Sequence, residues 1–240
     1  MKRLTNAVIL LLGLSMIIMA SCTKDPDNGG NNGGGNNGNT YNGHEYVDLG
    51  LPSGTLWATC NVGADTPEGY GDYFAWSDTQ PKDYYYWNTC KYSEYDEFAE
   101  TYKFTKYCNL ADAGYYGFTD NLTVLLPEDD AATANWGSGW CMPTNEQCIE
   151  LKNNTTCVET FQNNVKGILL TASNGQSLFL PTAGKRFRGE LQVAGSKCHY
   201  WSSTVLYPSA PVSFDYNEEG FQVHWSSRYE GFTVRPVRSR

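Results

Sequence analysis

The residue types able to do chemistry fall into three groups. Cys141 and Cys148 bracket the start of a segment, WGSGWCMPTNEQCIEL (residues 136–151), where two thiols could serve redox or metal chemistry or simple scaffolding. Ser202, Ser203, His199, His224 and Asp215 include the types of a nucleophile, a base and an orienting acid. Glu128, Asp129, Asp130, Glu218 and Glu219 could furnish the paired carboxylates of a glycoside hydrolase. None of these groups comes with a supporting motif. HExxH, GxSxG and a phosphate-binding glycine loop are all missing from the sequence. With three histidines (His44, His199, His224) and no CxxC, the spacing of a Cys/His zinc site is missing too. Strand residues near one another make a triad cheap to draw. Acids at a helix start or in a turn are ordinarily capping or solvated. The expectation is therefore no catalytic residue, no metal and no cofactor.

The elements that must carry these side chains are short. From Tyr46 to Trp76, apolar runs alternate with glycine and proline and predict strands joined by tight turns. The Tyr-rich, charged stretch from Gln80 to Tyr107 has no clean period and reads as a partly ordered excursion with one helical turn. PEDDAATANW, residues 127–136, opens on proline and acids and predicts a short helix. Thr144 and Gln147 form a capping box for a second helix ending near Asn153 or Asn154, with Ile149 and Leu151 on its buried side. Asn174-Gly175 between Ile168–Ala172 and Ser177–Leu180 predicts a hairpin. HYWSST, PVSFDY, FQVHW and FTVRPV supply later strands, and Val212/Phe214/Tyr216 and Phe221/Val223/Trp225 alternate as half-buried strands should. Few helices and many short strands give an α+β class.

The first residues read as a leader, not as part of the fold. Lys2 and Arg3 precede an apolar run from Ala7 to Ala20, and Met19-Ala20-Ser21-Cys22 resembles a bacterial lipoprotein processing site. On that reading residues 1–21 are a signal peptide and lipid on Cys22 holds the protein to a membrane. Residues 22–40 form a linker whose NGGNNGGGNNGN run cannot bury a core; its average reach is roughly 20 Å. Lys24-Asp25-Pro26-Asp27 resembles the short charged signal of lipoproteins exported to the cell surface in Bacteroidetes. Residues 41–240 suffice for one domain. The net charge is −9, and more acidic still without Lys2 and Arg3, so nucleic acid is not an expected partner. Seven cysteines follow Cys22, an odd number, which leaves at least one thiol free or paired between molecules.

LPSGTLWATCNVGA, GDYFAW, LPEDDAATANWGSGW followed by MPT, SLFLPTAG, YWSST and GFTVRPVR stand in the same order as in a known bacterial family. Over residues 46–238 the chain resembles the Fibrobacter succinogenes major paralogous domain, found in surface lipoproteins of gut Bacteroidetes. The resemblance implies a C-type lectin-like fold, with two short helices, a twisted and mainly antiparallel sheet, and first and last strands side by side. YVDLGLPSG and FTVRPVR are the pair so implied. Family members generally carry arginine at the position of Cys141 and a large apolar residue at that of Cys148, so no shared chemistry resides in these thiols. Two readings of this pair stay open, a local Cys141–Cys148 disulfide and two independent small buried residues, and both are scaffold. The tripeptides of calcium-dependent lectins, Glu-Pro-Asn, Gln-Pro-Asp and Trp-Asn-Asp, do not occur.

What remains is aromatic composition: 7 Trp, 17 Tyr and 10 Phe, many beside Ser, Asn and Gly, as on recognition surfaces. In lectin-like folds ligands sit on loops between the later strands. Carried over to this chain, the candidates are Tyr207, Asn217, His224, Arg228, Tyr229 and Trp201, with Trp225 read as core by its alternation. The expected function is binding of a glycan or protein ligand at the surface of the outer membrane. The alternatives are a structural or adhesin-assembly component and a polysaccharide hydrolase.

Overall fold

The computed structural model describes residues 39–240 apart from residues 218 and 219. The signal segment, Cys22, the linker to residue 38, Glu218 and Glu219 lie outside the described residues. The strands are β1 (Thr40–Tyr41), β2 (His44–Val47), β3 (Leu56–Ala58), β4 (Ser93–Asp96), β5 (Thr101–Phe104), β6 (Thr155–Gln162) and β7 (Val165–Ala172), then β8 (Ser177–Pro181), β9 (Lys185–Phe187), β10 (Glu190–Gln192), β11 (Cys198–Tyr207), β12 (Ala210–Asn217), β13 (Gly220–Trp225) and β14 (Val237–Arg238). The helices are α1 (Ala131–Trp136) and α2 (Asn145–Asn154). The fold is mostly β, with antiparallel sheets in the orders β1-β2-β3-β14, β4-β5, β6-β7-β8, β9-β10 and β11-β12-β13.

The capping box forms as its residue types require: Gln147 N donates to Thr144 Oγ1 (3.3 Å) and Thr144 N to Gln147 Oε1 (2.8 Å), so α2 starts at Asn145. Its buried residues are Cys148 and Leu151, one turn apart; Ile149, expected inside, is 40% exposed. The other predicted helix starts later than its proline suggests. Pro127–Asp129 is a single 3-10 turn, and α1 begins only after Asp130, whose carboxylate accepts from Thr133 N (2.9 Å) and Met142 N (2.8 Å).

β7 and β8 join through Asn174-Gly175 as predicted, with Gly175 at φ 80°. β6 extends that hairpin on its other side. It starts where α2 ends, with no turn residue between, and returns through Asn163 and Asn164, both left-handed at φ 47° and 65°. The terminal strands do share a sheet, but β14 pairs with Leu56–Ala58 and not with the YVDLGLPSG stretch, whose Tyr46 and Val47 lie one strand away.

β11 separates two buried clusters by the ordinary alternation of a strand. Tyr200 joins Trp57, Ile168, Phe214 and Val237 on one side; Trp201 joins Trp76, Trp140 and Phe232 on the other. β12 is buried on both faces, Ser213 and Asp215 included, so it is a central strand and not the half-buried one its alternation predicts.

The stretch from Gln80 to Tyr107 is more ordered than its composition suggests: it holds a 3-10 turn at Trp87–Thr89 and the β4–β5 hairpin. Asp129 ties it down. This carboxylate is 1% exposed and accepts from Lys106 Nζ (2.6 Å), Lys91 Nζ (2.8 Å), Tyr107 OH (2.5 Å) and Tyr92 OH (2.6 Å). Burial pushes its pKa up, but the four donors outweigh burial and hold it down at about 2. For Asp130 full burial outweighs its donors, mainly the backbone N–H groups of Thr133 and Met142, and pushes it up to about 6.

These shifts have opposite signs in stability. Asp129 stabilises the fold fully above its ordinary value of 3.8, and that contribution is lost as pH falls towards 2. Asp130 favours the fold below 3.8 and loses this as pH rises to about 6. Asp129→Ala should cost about 3–5 kcal/mol in urea unfolding at pH 7, the scale of a buried pair stripped of one partner. Asp130→Asn, which keeps a capping oxygen, should flatten the pH 4–6 slope of the unfolding midpoint that the wild type shows.

Candidate functional site

The serine, histidine and acid drawn from the sequence do not assemble into a triad. Asp215 on β12 does lie between His199 on β11 and His224 on β13, at 3.6 and 3.7 Å. The hydroxyls of Ser202 and Ser203, however, are buried and face the carbonyls of Val212 (2.8 Å) and Pro143 (3.3 Å). Of the acids expected to be solvated or capping, Asp130 does cap α1, though buried, while Asp129 is buried and fully engaged by side-chain donors. Among the described residues no group of three His, Cys, Asp or Glu side chains could hold a metal ion.

Cys148 carries a free thiol, so the Cys141–Cys148 bridge is not formed. Cys148 is buried in the first turn of α2 beside Leu151, while Cys141 is disulfide-bonded but not to Cys148, and its backbone pairs with Val237 as an added rung of the terminal sheet. Burial raises the Cys148 thiol well above its ordinary pKa, which suits packing and not reactivity.

The six ligand candidates separate. Trp201 is core, its ring stacked on Phe232 at 4.2 Å. Arg228 is fully buried: its guanidinium lies 4.3 Å from the Phe104 ring centroid and donates to the carbonyls of Lys106 (3.0 Å) and Tyr107. It fastens the excursion to the last third of the chain and offers nothing to solvent. Asn217 closes β12 opposite Gly220, and its side chain lies outside the description. Tyr207 and His224 are exposed, and Trp225, read as core from its alternation, is 63% exposed with its ring 6.1 Å from that of Tyr207. β13 runs past the edge of the core, so burial falls along Phe221, Val223 and Trp225.

Tyr229 joins a different and larger group. Its ring lies 4.6 Å from Trp87, 5.3 Å from Tyr86 and 6.0 Å from Phe187. Trp87 stacks at 6.3 Å on Tyr102, which is the cross-strand partner of Tyr95 at 5.3 Å. Arg188 caps the other end, 5.0 Å above the Tyr86 ring. The result is a row of half-buried and exposed rings running from the β4–β5 hairpin to the tip of β9–β10.

Local chemistry puts each ring there. Tyr85 is buried and donates to Tyr73 O (2.6 Å), so its neighbours Tyr84 and Tyr86 turn outward. Tyr85 also exchanges backbone hydrogen bonds with Arg188 (3.0 and 2.9 Å), which fixes the β9–β10 tip beside the row. Thr89 Oγ1 donates to the carbonyls of Tyr84 (2.8 Å) and Tyr86 (3.0 Å) and closes the turn carrying Trp87. Gly231 admits Tyr85: a Cβ there would stand 2.6 Å from Tyr85 Cε1. Reading from sequence missed Tyr86, Trp87, Tyr95, Tyr102, Phe187 and Arg188. The available signal was the aromatic density of DYYYW and SEYDEFAETY, with no apolar period to bury it.

Compared with protein-family models, curated proteins and solved structures, the chain matches none.

Two outcomes follow from this geometry. Alkylation without reductant should label Cys148 only after unfolding, as peptide masses would report. Arg228→Met should cost about 1–3 kcal/mol by stranding two carbonyls, with faster hydrogen exchange concentrated in residues 86–107.

Proposed function

We propose that this chain is a surface lipoprotein that holds a glycan along the ring row, with no catalytic role of its own. The observation that carries the reading is the contiguity of Tyr95, Tyr102, Trp87, Tyr229 and Tyr86, with neighbouring centroids 4.6–6.3 Å apart. Sugars present apolar C–H faces and a rim of hydroxyls; aromatic rings with phenolic edges match both. Rings already packed on one another lose little freedom when a ligand lands on them. The two helices, the antiparallel sheets and the β3–β14 pairing support a C-type lectin-like fold, and the ordered motifs support membership of the major paralogous domain family. The leader and Cys22 support attachment to the outer membrane. Tyr207 and Trp225 form a second exposed aromatic pair, which favours a protein partner as the next reading.

The test is a glycan panel against residues 39–240 and three variants: Trp87→Ala, Tyr229→Ala and the double change Tyr207→Ala/Trp225→Ala. Loss of either row ring should weaken glycan binding about tenfold or more, as for a central aromatic anchor, with the melting temperature as folding control. The double change should leave it intact. Binding lost only in the double variant would move the site to the end of β11–β13.

A further inference from the structure

Arg188 stands apart from most cations of this acidic chain. Lys82, Lys91, Lys106, Lys166, Lys185 and Arg240 each pair with a carboxylate. Arg188 is exposed and makes no ion pair among the described residues, although Asp83 and Glu190 are near it in the fold and in sequence. Its guanidinium rests over two rings, 5.0 Å from Tyr86 and 5.4 Å from Phe187, so the side chain is held at the end of the row with its N–H fork open. The backbone there is left-handed, at φ 54°, where asparagine or glycine would sit more easily. The far end of the row has the opposite character. The β4–β5 hairpin carries Glu94, Asp96, Glu97 and Glu100 against Lys103 alone.

We propose that Arg188 reads a single acidic group, carboxylate or sulfate, on an otherwise neutral glycan lying along the rings. This rests on the glycan reading above and adds the ligand's charge and its direction. A guanidinium fork donates two parallel hydrogen bonds to either oxyanion. A ligand acidic at every sugar would gain at Arg188 and lose along the glutamates of the hairpin, where like charges meet. The acid therefore lies at the β9–β10 end, and the neutral part runs towards Tyr95. Arg186, one residue before Phe187, does not share this role: it lines a separate cleft of about 270 Å³ in which it and Lys82 face Asp72 and Asp83, so its charge is already matched.

The experiment measures binding by residues 39–240 of matched sets, each a neutral mucin-type oligosaccharide beside its singly sialylated and singly sulfated forms, with polygalacturonate as the uniformly acidic probe. Wild type, Arg188→Gln, Arg188→Lys and Trp87→Ala are compared at low and high salt. The singly acidic forms should bind about fivefold tighter than their neutral parents, the scale of an exposed ion pair, with the gain shrinking in high salt. Arg188→Gln should erase the gain of each acidic form over its own neutral parent, measured within the variant; Arg188→Lys should keep part of it. Polygalacturonate should bind no tighter than the neutral parents. The sialylated and sulfated arms tell which oxyanion is read. A preference that survives Arg188→Gln, an absent preference, or polygalacturonate as the tightest ligand would overturn the assignment. If neutral glycans then still bind and lose affinity in Trp87→Ala, the glycan reading stands alone. Failure of every glycan to bind would sink both.

Discussion

One buried carboxylate conditions much of this structure. Asp129 gathers two ammonium groups and two phenols around a side chain that is 1% exposed. All four donors come from residues 91–107, the part of the chain with the least apolar patterning, and the acceptor comes from the turn that leads into α1. A stretch of tyrosines and charges cannot order itself by burial, because too few of its side chains leave water. The carboxylate supplies what burial does not. It also sets a sign: with two lysines committed to one interior acid, the charge left for the outer face of the excursion is acidic, and the hairpin tip shows it.

Arg228 holds the excursion at its Lys106–Tyr107 end as well, and the two anchors are not equivalent. Asp129 accepts from side chains, whereas Arg228 donates to the backbone carbonyls of Lys106 and Tyr107 while packed on Phe104 and Trp76. Burial lowers the Arg228 pKa to about 10, far above neutral pH, so the charge persists and the carbonyl bonds stay charge-assisted. Arg235 works the same way deeper in the fold, donating to Asn61 Oδ1 (2.8 Å) and Ala58 O (3.2 Å) and so joining the C-terminal segment to the residues after β3. Arg228, a ligand candidate on sequence grounds, is thus, like Arg235, a joint between distant segments.

What was legible in the sequence is what is decided locally. The Thr144/Gln147 cap and the Asn174-Gly175 turn fix their elements through groups three residues apart or closer, and both stand as read. Three of the four late strands were legible too, because β-rich runs between turn residues leave little else to form; FTVRPV instead makes isolated bridges at Phe232 and Thr233 and is a strand only from Val237. Readings that depended on which face meets the core held only in part: Leu151, Phe214 and Phe221 are buried as read, while two others are not. Trp225 alternates like a core residue but lies beyond the core's edge; Ile149 follows Cys148 around α2 and is carried outward. β6 hid because α2 runs into it without a break, although Asn163-Asn164 marked its far end. The ring row was the least legible feature, since Trp87, Tyr102, Phe187 and Tyr229 are brought together only by tertiary packing.

Within that packing, the backbone and not the side chains decides where the rings stand. Trp225, Arg228 and Tyr229 lie within five residues, yet one is exposed, one fully buried and one in the ring row. Ser226 N bonds Pro211 O (2.9 Å), Arg228 O accepts from Trp76 N (2.8 Å), and Gly231 exchanges hydrogen bonds with Arg186 (2.7 and 2.8 Å). Each of these fixes the main chain on either side of Tyr229 to a different strand or loop. Tyr229 can therefore neither retreat into the core, where Arg228 already fills the space, nor swing free. It is held against Trp87 from one side and Phe187 from the other. A ring placed this way has given up its freedom during folding, so an arriving ligand gains its contact area without having to order it.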